Sequence, residues 1–197
     1  MIEMAARSVV VLVFLAVRAV AAEPPGVTPP LATPSSSRFE VMADGVLPIG
    51  GMLHGFSMGG GPEAGVVLDD GDGRMLAMGA HLTVHSMGYE GNGPAYVGGL
   101  AFERRWGRRS WSGFYWGVRL DGTAAFWNNS RAWGLAPGIV LGGMIPTSAS
   151  TSVDLSAGLE IPIGSYNITT MVCSGYCSGT YVDLVAGLRA GVSFAAL

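Results

Sequence analysis

Two histidines and a threonine, His81, Thr83 and His85, recur at every second position, and one further histidine, His54, lies upstream. Such a set invites comparison with a metal site or with the base of a nucleophilic catalyst. In an extended chain alternate residues share a face. His81 and His85 then stand about 13 Å apart along the strand at ~3.3 Å per residue, too far to hold one metal ion. His85 and Ser86 point to opposite faces, so they form no nucleophile–base pair without a bulge. The spacing supports polar filling of an interior.

Charged residues carry a stronger pattern. Glu103, Arg105, Arg119, Asp121, Asp154, Glu160, Asp183 and Arg189 all fall on the face opposite the apolar residues of alternating segments. Were that face enclosed, the charges would have to pair, because an unpaired buried charge is strongly destabilising. Five acids and three arginines can form an ion-pair network that plugs a narrow space; the alternative is a small conduit favouring cations. Cys173 and Cys177 enclose a short ring, read as a disulfide staple of a loop, since a redox or metal site would want a second ligand cluster and the sequence has none. The run Asp69-Asp70-Gly71-Asp72-Gly73 lacks the glutamate that closes a calcium loop and reads as a tight turn. No catalytic residue, cofactor or metal site is predicted.

The elements that position these residues are strands. From Thr180 to Ala196 the chain alternates over seventeen residues, with Val182, Leu184, Leu188, Val192 and Phe194 on one face and Tyr181, Asp183, Gly187, Arg189 and Ser193 on the other. Eight strands are predicted, over residues 46–56, 64–68, 74–86, 95–105, 112–127, 131–145, 152–166 and 180–196. A two-residue turn at Asn129-Ser130 would set Asp121 opposite Gly138 and Leu120 opposite Ile139, so that polar meets small and apolar meets apolar.

Residues 1–22 read as a secretory signal, with Arg7, an apolar stretch from Val9 to Val17 and the small-residue site Ala19-Val20-Ala21-Ala22. Residues 23–45 form a Pro/Ser-rich linker and lead-in, and residues 46–197 one β-domain. A net charge of −3 and a pI near 5.5 exclude a nucleic-acid partner. Apolar residues make up 49% of the chain, yet Gly, Pro or a charge interrupts every later apolar run, so the excess must lie on strands.

Such strands suit either a lipocalin-like soluble barrel with its apolar face inward or a membrane barrel with that face outward. The outward arrangement is favoured. Glycines fill the polar face, lysine is absent, and Trp106, Trp111, Trp127 and Trp133 cluster near the turns, where interfacial aromatic girdles sit.

With a signal, a short linker, eight strands and tight turns on one side, the chain resembles the small bacterial outer-membrane barrels of the OmpA/OmpX type, over about residues 46–197. Arg189, Gly191 and Phe194 resemble the terminal signal read by the barrel-assembly machinery, although the chain ends in Ala195-Ala196-Leu197 rather than an aromatic residue. The resemblance implies an all-β, eight-stranded, antiparallel up-and-down transmembrane barrel in the cell outer membrane, with the lipid bilayer and that machinery as partners. The expected role is structural or interactive, not enzymatic, with a side-chain-plugged lumen and the surface loop 167–179 as the contact for an extracellular partner. The alternatives are a soluble secreted ligand-binding barrel, a narrow channel, and a lipid-modifying enzyme of the kind some small barrels are.

Overall fold

The computed structural model describes residues 37–50, 56–71, 74–87, 94–109, 112–127, 130–170 and 175–195. They form ten strands: β1 (Ser37–Gly50), β2 (Phe56–Gly71), β3 (Arg74–Met87), β4 (Ala95–Arg109), β5 (Ser112–Trp127), β6 (Ser130–Pro146), β7 (Thr151–Glu160), β8 (Ile163–Thr170), β9 (Gly175–Val182) and β10 (Leu184–Ala195). Each pairs antiparallel with its neighbours, and β1 meets β10 from Arg38↔Ala195 onward, which closes the sheet on itself. β7 with β8, and β9 with β10, are two stretches of one path each. At the first break Pro162 has no N–H to give to a ladder. Its carbonyl nonetheless accepts from the Asp183 amide at 2.9 Å, and the Ile161 amide donates to the Pro137 carbonyl at 2.9 Å, so pairing carries across both breaks. Eight strand paths therefore make one closed antiparallel barrel.

The faces are inside out relative to a soluble domain. Outward residues are apolar and bare, among them Leu100, Phe102, Ile139 and Leu188, the last 69% exposed. Inward residues are charged, hydroxylated or small and mostly buried. Small residues are needed there because side chains cross the bore: the Tyr115 ring lies where a Cβ on Gly142 would sit.

Several sequence expectations change. The first strand starts at Ser37, not residue 46, because Phe39, Val41, Leu47 and Ile49 face out while Arg38, Glu40 and Met42 face in, an alternation that starts inside the expected lead-in. Residues 57–63, expected as a loop, belong to β2; their glycines serve close strand contact, and a Cβ on Gly61 would strike the Leu82 carbonyl. Trp127 points inward and is buried, so it is no part of an outer girdle. The β5–β6 hairpin pairs Trp127 with Ser130, which sets Asp121 opposite Ala136 and Leu120 opposite Pro137, two residues from the expected register. A shift of two keeps every side chain on its face, so the pattern alone cannot tell the registers apart. Finally, most of the expected loop 167–179 is a β8–β9 hairpin, paired from Ile163↔Val182 to Thr170↔Gly175. The signal, the residues up to 36, His54, Trp111 and Cys173 lie outside the described residues.

Candidate functional site: the barrel interior

Alternation on β1, β4, β5, β7 and β10 sends charged side chains into one narrow bore. Arg105 on β4 is its hub and is 1% exposed. Its Nε donates to Glu103 Oε1 at 2.7 Å, Nη1 to Asp154 Oδ2 at 2.9 Å, and Nη2 to Glu40 Oε2 at 3.0 Å. The Tyr115 ring lies 4.9 Å from the guanidinium carbon, and its hydroxyl donates to Asp154 Oδ1 at 2.8 Å. One cation thus ties β1, β4 and β7 together across the lumen. Planar guanidinium groups suit this role, since their fixed fork of donors can serve several carboxylates at once.

A second centre lies on β5. Arg119 clamps Glu63 of β2 with two bonds, at 2.9 and 3.0 Å, donates to Asp121 at 3.1 Å, and stands 3.2 Å from Glu160. Arg189 of β10 joins the two centres by donating to Glu103 Oε2 at 2.8 Å. His81 Nε2 meets Asp121 at 2.9 Å, and Thr83 bonds His85 at 3.1 Å on the same face of β3. The structure therefore brings Glu103, Arg105, Arg119, Asp121, Asp154, Glu160 and Arg189 into one network. Asp183 is buried at the break between β9 and β10, toward the end of the bore where Tyr181 and Trp127 pack.

The sequence analysis missed Glu40, Asp44, Glu63 and Arg38, and left Tyr115, which shares the polar face with Arg119 and Asp121, out of the network. Glu40 stands between Phe39 and Val41, a signal that short-range alternation carries but that the neighbouring Pro/Ser-rich segment masks. Among the described residues the bore holds eight carboxylates (Glu40, Asp44, Glu63, Glu103, Asp121, Asp154, Glu160, Asp183) and four arginines (Arg38, Arg105, Arg119, Arg189).

The network divides the bore. On the side where residues 147–150 join β6 to β7, Val67, Met75, Tyr115, Val140 and Met144 pack into an apolar cluster. A void of about 10 Å³ bounded by Glu40, Glu63, Glu103 and Arg119 has room for a single water. On the other side a cavity of about 80 Å³ rests on Arg119, Arg189 and the acids around them. Among the described residues no group of three or more His, Cys, Asp or Glu side chains is placed to hold a metal ion.

No family model matches the chain, and no curated protein matches it in sequence. Solved structures match in fold. Neisserial surface protein A is 17% identical with a TM-score of 0.54, over 82% of this chain and 98% of that one. A major outer membrane protein from Thermus thermophilus is 15% identical with a TM-score of 0.48 (80% and 98% covered). OprG from Pseudomonas aeruginosa is 12% identical with a TM-score of 0.45 (82% and 98% covered). The likeness to the Neisserial protein shows that the chain has the fold of a small eight-stranded outer-membrane β-barrel.

Proposed function

We propose that this chain is an outer-membrane barrel whose lumen is closed by its own side chains, and whose role is structural or interactive rather than enzymatic. The observation that supports this reading is the Arg105 cluster: a wholly buried guanidinium bonded to carboxylates from β1, β4 and β7 sets side chains across the bore. An eight-stranded barrel has an interior just wide enough for side chains to fill. The apolar outer surface supports lipid as its surroundings, and a barrel of this kind would be placed there by the barrel-assembly machinery. The work then falls to the segments at the end bearing the 80 Å³ cavity. There the β8–β9 hairpin runs past its last partner on β6, the pair Arg131↔Asn167, and projects beyond the wall. A Cys173–Cys177 disulfide would pin the tip of that hairpin as a rigid contact for an extracellular partner.

The excess of acids over arginines favours a second reading, a narrow cation pathway. Planar-bilayer recording of the refolded chain separates the two. The closed lumen predicts no steady conductance from the wild type, and a stable cation-selective current would establish the pathway instead.

A further inference from the structure

The closed end turns the outer half of the bore into a cup. Its floor is polar, formed by Asp44, His81, Arg119, Asp121, Glu160 and Arg189; its wall is apolar, with Val46, Val97, Val185 and Tyr181. Two observations show that the cup is built for something beyond its own side chains. Asp44 has neither a hydrogen bond nor an ion pair with any described residue; Arg119 and Arg189 act on it only from beyond ion-pair distance, while they bond Glu63 and Glu103. His81, its side chain 6% exposed and its Nε2 on Asp121, keeps a buried Nδ1 without a hydrogen-bond partner among the described residues, a nitrogen that accepts when Nε2 carries the proton. Leaving such groups unmatched is costly in a dry interior. Glycine at 187 adds to the picture: a Cβ there would meet nothing nearer than Asp44 Oδ1 at 4.0 Å, so the chain keeps open space beside the lone carboxylate.

We infer that the cup is a binding site for a small organic cation, a primary ammonium on a short alkyl body. The charge argues for a cation, because among the described residues three acids, Asp44, Asp121 and Glu160, line the cup against two arginines, Arg119 and Arg189. The geometry argues against a bare metal ion, since no described set of ligands converges. An ammonium group has three N–H donors that can reach separated carboxylates such as Asp44 and Glu160. Its alkyl part would lie against the valine wall. The size agrees: a cavity of about 80 Å³ is roughly half the ~150 Å³ that takes up benzene, which gives room for about three or four carbon atoms. The inference rests on the closed-lumen reading, which supplies the floor.

The test uses the full folded chain in detergent micelles, titrated with n-butylammonium and with its neutral analogue n-butanol, and read by calorimetry and amide NMR shifts. The ammonium is expected to bind saturably with shifts confined to the cup, and n-butanol at least tenfold more weakly. Asp44→Asn removes a carboxylate that makes no hydrogen bond or close ion pair with a described residue, so it should fold like the wild type and bind at least tenfold more weakly. Gly187→Leu keeps every charge but fills the space, and should abolish binding in protein whose gel mobility shows it folded. Equal binding of n-butanol, undiminished binding by Asp44→Asn, or no saturable binding would each overturn the inference. Steady conductance in bilayers would instead count against the closed lumen, and binding by a conducting barrel would keep the site while removing the plug.

Discussion

At the scale of single residues, the account turns on how many groups each cation satisfies. Arg105 serves Glu103, Asp154 and Glu40, whereas Arg189 chiefly serves Glu103, its distance to Glu63 being 3.8 Å. Removing one partner of a buried ion pair costs about 3 to 5 kcal/mol, because the charges left behind stay buried without compensation. Arg105→Leu should therefore lower the denaturant midpoint in micelles by more than Arg189→Leu does; equal midpoints would deny Arg105 its place as hub. Tyr115→Phe removes one donor to Asp154 while the Arg105 bond remains, for an expected loss of about 1 to 3 kcal/mol in the same assay. Most of these residues were legible in the sequence, since Glu103 and Arg105 alternate with Phe102 and Trp106, and Arg119 and Asp121 with Val118 and Leu120. Their pairings were not legible. A face assignment says which side chains share the bore but not their order along it, and that order depends on strand stagger. Glu63 escaped notice for another reason: it follows Gly59-Gly60-Gly61-Pro62, a composition that weakens strands and reads as a turn.

At the scale of elements, those same glycines show what the sequence pattern does not contain. The Gly61 backbone lies against the Leu82 carbonyl of β3 and that of Gly65 against the Met78 carbonyl, so the β2–β3 contact admits no Cβ at either position. Gly61→Ala is expected to push the strands apart locally and lower the unfolding midpoint, whereas Gly187→Ala, which meets open space, should leave it within about 0.5 kcal/mol of wild type. If Gly61→Ala matched Gly187→Ala, the close approach would play no part in stability. Strand identity and facing were readable over 74–127 and through the last strand, because a period of two cannot be sustained by a helix. Exact register was not, as the β5–β6 pairing shows: the observed pair Trp127↔Ser130 and the expected turn at Asn129-Ser130 differ by two residues in pairing and preserve both faces.

At the scale of the whole molecule, outward aromatic residues recur ten positions apart on adjacent strands, Tyr96 and Trp106 on β4, Trp116 and Phe126 on β5. Ten residues at ~3.3 Å, tilted by about 40°, span roughly 25 Å, the height of the apolar band on an outer-membrane barrel. Trp106 stacks on Trp116 at 4.6 Å in one belt, and Arg131 lies 5.7 Å from the Trp133 ring in the other. Ser37 and Ala195 lie at the same end as residues 147–150, where the Ala195 amide donates to the Ser150 carbonyl. If that end is periplasmic, an epitope inserted after Ser174 should bind antibody on intact cells, and one at Ser148 should stay hidden until the outer membrane is breached. Reversed labelling would invert the orientation. The central claim is that the apolar face meets lipid, and gel mobility of the chain recovered from fractionated cells tests it most directly. A lipid-facing barrel should be found in the outer-membrane fraction and migrate differently before and after boiling in detergent; recovery as a soluble periplasmic protein, with mobility unchanged by boiling, would contradict it.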